Sequence, residues 1–418
     1  MKDPDFVAFS KKSEIIEPLK PDEGYVGGRV STFKVRADVR NSSQKLFYYD
    51  YTSLYASIMK FEKYPIGYPD IIENPPTTDI SNYYGIVKCD VLITKDIYAP
   101  PLPYKYKGRL YFPLCYTCLK NDVRSTCMHT EKERFLRFVW WIDEVKQAVE
   151  LSQATILQVH EIWHFPKSGF NIFSKFIDYF STQKTNYSGY PDHVLTPEDK
   201  KEYINKFHEA GIELNPNILE LGKNDAMRSS MKLFPNAIYG KFGMKQNHNQ
   251  KKMCYTKKEF HDIFFSDKYE VLNIQILAPN SVVHVEYKLV DEVFNSKISD
   301  VNIIVALATT AMGRMKLNLE ITKLGDQICY CDTDSIIFLS GTHMPQLGDF
   351  IGDFKDETSS DDVIEVFESL GPKNYILSYR SGKTKLVAKG FTLNSKALDI
   401  LNKSFIHKLI NSFVGKKG

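Results

Sequence analysis

The sequence lacks any apolar run of the ~18–20 residues that a membrane-spanning helix needs. Its first eighteen residues, MKDPDFVAFSKKSEIIEP, hold no apolar stretch of the secretory kind. A soluble intracellular protein with no membrane partner is therefore expected; nucleus, cytoplasm and organelle are not distinguished. An excess of one charge sign is missing as well. The formal net charge is +3, so any surface for a polyanion has to be a local basic groove. Cysteine is sparse, at seven in 418 residues. The odd number, and the crowding of three cysteines between positions 115 and 127, speak against a disulfide framework and for metal ligation. There is no internal repeat and no low-complexity tract, which excludes a solenoid.

What the chain does have is length for two or three domains and an ordinary globular composition, 43% hydrophobic and 25% charged. Aromatics reach 13%, with 25 Tyr and 27 Phe, enough to fill a core and to leave rings for stacking on bases. Period-two patterns predict strands over 45–51, 84–94 and 156–164. Pro100 to Pro103 marks a loop, as do Pro191 to Asp199 ahead of a helix opened by Pro197. Thr130 and Glu133 have capping-box spacing, and Phe135, Phe138, Val139, Ile142, Val145 and Val149 follow at helical intervals, which predicts a helix over 131–151. Amphipathic helices are expected over 170–184 and 224–241, and a long one over 301–324 closed by Gly325. Strands and helices do not alternate regularly, so the fold class is α+β.

Three constellations carry chemistry. Asp50 closes the apolar run 46–49, and Asp332 and Asp334 stand in YCDTDSIIF between strand-like flanks. If 332–334 is extended, the two carboxylates share a face and repel unless cations neutralise them. With Asp50 they would complete a pair of Mg²⁺ sites about 3.5–4 Å apart, which is the chemistry of nucleotidyl transfer. A DTD triplet on its own is more often a solvated turn; here Tyr330-Cys331 and Ser335–Phe338 bury its flanks. The second constellation is RSSMKLFPNAIYGKFG. Arg228, Lys232, Asn236 and Tyr239 fall on one helix face, offering cations for phosphates and a ring for a base, with Gly240 and Gly243 allowing close approach of a template base. The bland reading is a solvated helix. The third is Cys115, Cys118, Cys127 and His129, four soft ligands within fifteen residues that suit one tetrahedral structural Zn²⁺; reduced buried cysteines are the alternative. Lone histidines such as His160 and His164 read as packed or surface groups, and Arg314 as support for the sheet. His248 and the Lys251-Lys252 pair read as a solvated loop near DNA phosphates.

DYTSLY at 50–55, KLFPNAIYG at 232–240 and YCDTDS at 330–335 resemble, in order, motifs A, B and C of family B DNA polymerases. The resemblance is to the protein-primed branch found in certain phages, adenoviruses, linear plasmids and Maverick/Polinton transposons. GYVGGR at 24–29 resembles the branch's YxGG segment, and GPKNY at 371–375 its KxY motif. FPLCYTC, EIWHF, SGYP and LVAKGFTLN resemble the Maverick version. The resemblance implies a right-hand polymerase of palm, fingers and short thumb. It implies a DNA template-primer and a deoxynucleoside triphosphate as partners, a terminal priming protein as a further one, and two Mg²⁺ that Mn²⁺ can replace. It makes Asp50 and Asp334 the main metal ligands, with Asp332 beside them and the Tyr51 carbonyl assisting. The Ser53 and Leu54 backbone would cradle the triphosphate and Tyr55 would reject a 2′-hydroxyl. Lys232 would bind phosphate in the transition state with Arg228 helping, while Asn236 and Tyr239 line the nascent pair. Tyr25, Gly27, Gly28, Gly240 and Thr333 would meet DNA, and Lys373 and Tyr375 would grip the primer.

The implied parts are a lead-in at 1–23, palm at 24–62, an insertion with the zinc site at 63–195, fingers at 196–247, a second insertion at 248–300, palm at 301–371, and the KxY motif with a truncated thumb at 372–418. Three departures stand out. Ala56 replaces the usual Pro, Ala237 the usual Ser, and Pro235 lies inside the fingers helix, where it is expected to kink the helix at about 3 kcal/mol. No carboxylate set for a proofreading exonuclease precedes the YxGG segment, and about two dozen residues follow LVAKGFTLN. Weak primer grip and low processivity are expected. The rival readings are a catalytically decayed nucleic-acid-binding remnant and an RNA-copying or RNA-making enzyme; Tyr55 opposes ribonucleotide use.

Overall fold

A computed structural model describes residues 16–390 apart from 124, 245, 246, 248, 279–281, 291, 292, 294–300 and 359–361. The expectations for His248, for residues 391–394 of LVAKGFTLN and for the remainder of the thumb lie outside the described residues. At the centre is an antiparallel sheet of β1 (Val30–Thr32), β2 (Leu46–Tyr51), β3 (Ile328–Asp332), β4 (Ser335–Leu339) and β5 (Phe354–Asp356), in spatial order β1-β3-β4-β2-β5. Both faces of this sheet are covered, which is why β3 and β4 read as near-continuous apolar runs. Cys331, Ile336 and Phe338 face one core cluster with Tyr49 and Tyr51. Cys329, Tyr330 and Ile337 face another with Leu46, Phe367 and Leu377.

Four helices matter to the site: α1 (Leu54–Phe61), α2 (Ser174–Asn186), α3 (Asp225–Phe242) and α4 (Ile303–Leu324). α4 is buried along most of its length, as a helix apolar all round must be. The Asn302 side chain caps it by accepting from the Ile304 and Val305 backbone N–H groups, and Gly325 ends it at φ +54°. Each fully buried Leu or Ile on it contributes roughly 1.5–3 kcal/mol of transfer free energy. α2 packs against α3, with Phe180 stacked on Phe234 at 4.7 Å. The expected boundary at 196 therefore falls between two helices that form one packed pair.

A four-stranded antiparallel sheet in the order Asp70–Glu73, Ala154–His164, Gly85–Ile93, Leu136–Trp141 carries a second core. It corrects the expected helix over 131–151. The capping box at Thr130 is present, but its helix is only Glu131–Arg134; Leu136–Trp141 is a strand and Ile142–Glu150 a second helix. β-branched and aromatic residues over 138–141 fit a strand whose partner, 86–91, offers a ladder and an apolar face, and this tertiary pairing outweighs the helical spacing. Asp90 fixes the register by accepting from Arg137 at 2.7 and 2.9 Å and pairing with the buried His160 at 2.9 Å. The lead-in is not loose where it is described. Leu19 is buried in the core, and its backbone N–H donates to Glu161 at 2.7 Å.

Arg36–Asp38, Ile364–Gly371, Asn374–Tyr379 and Thr384–Ala388 make another four-stranded sheet against the central one. Gln250–Cys254, Val282–Leu289 and Tyr269–Ala278 make a three-stranded sheet with the helix Lys257–Phe264. Lys251 and Lys252 thus lie on a strand rather than a loop. No described helix is long and apolar enough to cross a membrane.

Candidate active site

Sheet register brings Asp50 and Asp334 together. Asp50 lies opposite Ser335 across β2 and β4, and the Tyr51 N–H donates to the Asp334 carbonyl at 2.7 Å. The extended 332–334 segment of the sequence reading is corrected: it is a tight turn. Thr333 sits at φ +62°, the Asp334 N–H reaches the Asp332 carbonyl at 2.7 Å, and the Thr333 N–H donates to the Arg29 carbonyl at 2.7 Å. A β-branched residue at positive φ is strained and persists only where its surroundings hold it. Side-chain alternation along a strand therefore does not apply to the two aspartates. Burial, then the Asp334 charge, pushes the Asp50 carboxyl up to about 7, and burial followed by Asp332 raises Asp334. Half-buried carboxylates placed this close are a donor set that fits hard divalent cations.

Asp332 is differently engaged. Its carboxylate accepts from Lys373 Nζ at 2.7 Å and from the Thr333 hydroxyl at 3.2 Å. Among the described residues, the acidic trio does not form a group whose ligand atoms all converge; Asp50 and Asp334 meet, and Asp332 is turned to Lys373. Lys373, also at positive φ, donates its backbone N–H to the Tyr330 hydroxyl at 2.8 Å. Tyr375 is only 5% exposed, its ring 4.8 Å from Tyr330 and its hydroxyl bonded to Tyr48. The surface member of the pair is thus Lys373.

On the other side of the aspartates, Ser53 at φ +52° turns the chain from β2 into α1, whose first residues are Leu54 and Tyr55. The Tyr55 ring packs 4.3 Å from Tyr239 of α3. Gly28 and Gly313 leave it room: a Cβ on Gly28 would lie 2.7 Å from Thr333 and 2.8 Å from the Tyr55 hydroxyl, and one on Gly313 would lie 2.9 Å from the Tyr55 ring. Gly243 lies against Tyr25 in the same way, whereas Gly27 and Gly240 face open space. The backbone of the YVGG segment is held by buried Arg314, which donates to the Val26 and Gly27 carbonyls at 3.0 Å and pairs with Glu144 at 2.7 and 2.8 Å.

Arg228, Lys232, Asn236 and Tyr239 all lie on α3, spaced by four, four and three residues. The helix runs from Asp225 to Phe242 through Pro235, which is buried. Arg228 Nε donates to the Ser188 hydroxyl at 3.2 Å. Lys232 contributes a positive field at both Asp50 and Asp334. One cation was missed from sequence. Lys184, on α2, is pushed down to about 8 by burial and then by the charges of Lys232, Arg228 and Lys355. Lys184, Arg228, Lys232 and Lys355 thus gather positive charge beside the two aspartates. The sequence signal for it was only the helical spacing of Phe176, Phe180 and Lys184.

The cysteine cluster assembles as its spacing implied. Cys115, Cys118, Cys127 and His129 place their ligand atoms within 4.8 Å of one another, and His129 Nδ1 is 3.6, 3.3 and 3.5 Å from the three sulfurs. Bond lengths of about 2.3 Å to sulfur and about 2.0–2.1 Å to nitrogen put tetrahedral S and N ligands about 3.5 Å apart around zinc. The Cys118 N–H donates to Cys115 Sγ at 3.4 Å, and a backbone hydrogen bond from His129 leads the effects that draw the Cys127 thiol down to about 7.

A family model described as DNA polymerase type B, organellar and viral, matches residues 22–196. No curated protein matches the sequence. Among solved structures, the phi29 DNA polymerase complexed with primer-template DNA and incoming nucleotide matches with TM-score 0.57 and 16% identity, over 96% of this chain and 60% of that one. The same polymerase complexed with single-stranded DNA matches with TM-score 0.58 and 15% identity over the same shares. This chain therefore spans 60% of the length of the polymerase chains it matches. The likeness establishes the architecture reached above from the residues: an α+β right-hand polymerase fold.

Proposed function

We propose that this chain is the catalytic core of a DNA-directed DNA polymerase that adds a deoxynucleotide to a primer 3′-hydroxyl as a DNA template directs. One observation carries the reading. In a right-hand fold, Asp50 and Asp334 meet at the end of the central sheet, across from a cluster of Lys184, Arg228 and Lys232. Asp50 and Asp334, with the Tyr51 carbonyl and with Asp332 at the margin, would hold two Mg²⁺, or Mn²⁺ in their place. Bound there, the ions would lower the energy of the attacking hydroxyl and of the departing pyrophosphate. The protein's own part is positioning and charge. The Ser53-Leu54 turn and the basic cluster hold the triphosphate, with Lys232 and Arg228 nearest its charge. Tyr55 fills the space a 2′-hydroxyl would need, and Asn236 and Tyr239 line the new base pair. Lys373 contacts the primer, with Tyr375 holding it from beneath, and Tyr25, Gly27, Gly28, Gly240 and Thr333 border the template path.

In domain terms, the central sheet and α4 form the palm, α2 and α3 the fingers, and 63–164 an insertion. Motif resemblance supports the protein-primed type, a terminal priming protein as partner, and the Maverick/Polinton transposon group. A structural Zn²⁺ at Cys115, Cys118, Cys127 and His129 belongs to the same reading, remote from the reacting atoms. The rival reading, a catalytically decayed remnant, keeps Pro235 inside α3 as its structural motive. The test is extension of a labelled primer in Mg²⁺ by the wild-type chain beside Asp334→Ala. Extension that follows the template and is lost in the variant supports the proposal; a folded wild-type chain that extends nothing favours the remnant.

A further inference from the structure

The cysteine cluster lies in an insertion, yet a short run of contacts joins it to the acidic turn. Cys115 follows Phe112 by three residues, and between them the Leu114 carbonyl accepts from buried Arg134 at 3.3 Å. Arg134 also donates to the Ile93 carbonyl at 2.9 Å, and the Thr117 hydroxyl donates to the Glu133 carbonyl at 2.6 Å, so both ends of the cluster are tied to the second core. Phe112 lies under the guanidinium of Arg29, 4.4 Å from its carbon to the ring centroid. Phe33 covers the same guanidinium at 5.2 Å. Arg29 is 2% exposed and donates to the Pro100 carbonyl at 2.8 Å and the Ser31 hydroxyl at 3.1 Å. Its own carbonyl accepts the Thr333 N–H at 2.7 Å, the bond that holds Thr333 at positive φ between Asp332 and Asp334.

We infer that the cluster is a structural zinc site whose task is to seat Phe112 on Arg29, and through Arg29 to fix the 332–335 turn. This rests on zinc occupying the cluster, as proposed above. The physics is direct. Among the described residues Arg29 has no carboxylate partner, so ring faces, the Ser31 hydroxyl and the Pro100 carbonyl stabilise its buried guanidinium, and losing one ring weakens the side that Phe112 covers. A loosened Arg29 backbone then frees the strained Thr333, leaving the turn only its Asp334 N–H to Asp332 carbonyl bond and the Thr333 hydroxyl bond to Asp332. Phe112 acts as a positioning residue, and the metal fixes where its ring sits.

The experiment is zinc analysis with amide hydrogen exchange on the full chain, for wild type, Phe112→Ala, Phe112→Tyr and Cys118→Ser. Wild type is expected to carry one zinc per chain. Phe112→Ala should keep the zinc yet exchange about tenfold faster in peptides spanning 331–335, the size expected for losing a desolvated cation–π contact. Phe112→Tyr should restore protection, and Cys118→Ser should lose both zinc and protection. Unchanged exchange of α4 in the same spectra shows that the fold is intact; if Phe112→Ala does not fold, Phe112→Leu takes its place. Wild type without zinc overturns the metal site. Zinc-loaded Phe112→Ala, or its Leu substitute, with wild-type protection at 331–335 overturns the coupling. Neither readout needs polymerisation, so an inactive chain leaves this test intact and bears only on the polymerase proposal.

Discussion

At the residue scale, the chemistry is decided by which charges are left without an opposite partner. Among the described residues Asp50 and Asp334 show no direct ion pair and feel Lys232 only at a distance, whereas Asp332 has Lys373 at 2.7 Å. On the basic side, Lys184 is pushed down to about 8 by burial first and then by the charges of Lys232, Arg228 and Lys355. On the proposed function its charged form would bind phosphate, and that form is lost as pH rises through about 8. kcat/KM for the nucleotide, which reports the free enzyme, should therefore fall above that pH in wild type and persist to higher pH in Lys184→Arg. Lys184→Ala should raise the nucleotide KM about tenfold or more at pH 7, the worth of a hydrogen bond to a charged group; an unchanged KM would remove Lys184 from the site. Tyr55 makes the other residue-scale test. With its ring between Tyr239 and two glycines, Tyr55→Ala should lower the preference for deoxy- over ribonucleotides about tenfold or more in competing kcat/KM values. Asp50 and the DTD aspartates were legible in the sequence because they end apolar runs. Lys184 was not, since nothing in a lone lysine on an amphipathic helix says that three other cations will face it.

At the element scale, strand and helix signals held wherever local and tertiary preferences agreed. The runs at 46–51, 85–93 and 328–339 are bounded by turns and have partners on both sides, and α4 carries its own cap at Asn302 and its stop at Gly325. The stretch 131–151 misled because two periods overlap there. Its apolar spacing suits a helix, but the aromatic and β-branched cluster at 138–141 meets a ladder on strand 85–93 that only the fold reveals. Pro235 removes one backbone donor from α3 and is buried within the helix that runs from Asp225 to Phe242. The turn at Thr333 was hidden too, because positive φ at a β-branched residue is dictated by Arg29 and not by its own preference. The Glu144–Arg314 pair ties the α4 region to the YVGG backbone. Removing one partner from so buried a pair leaves a stranded charge, so Glu144→Ala should cost about 3–5 kcal/mol in urea unfolding, and replacing both residues by Met should cost less than the two single changes summed. Strict additivity would mean that the pair is not coupled.

At the scale of the whole molecule, three separated stretches of sequence reach one end of the central sheet. The YVGG segment comes in beside β1, the DYTSLY segment leaves β2 for α1, and the DTD turn joins β3 to β4. The helix pair α2–α3 lies across from them, and the sheet 364–388 supports Lys373 from the far face. The likeness to phi29 DNA polymerase, at 16% identity, is one of fold. The central claim is that Asp50 and Asp334 together hold the cations for template-directed nucleotide addition. Its most direct test is single-nucleotide incorporation onto a labelled primer, with each of the four template bases, across a Mg²⁺ titration, for wild type, Asp50→Asn and Asp334→Asn. The account predicts that wild type adds the complementary deoxynucleotide in a Mg²⁺-dependent way and that both variants, folded as wild type, lose incorporation by orders of magnitude. Incorporation that survives in either variant, or that ignores the template base, would contradict it.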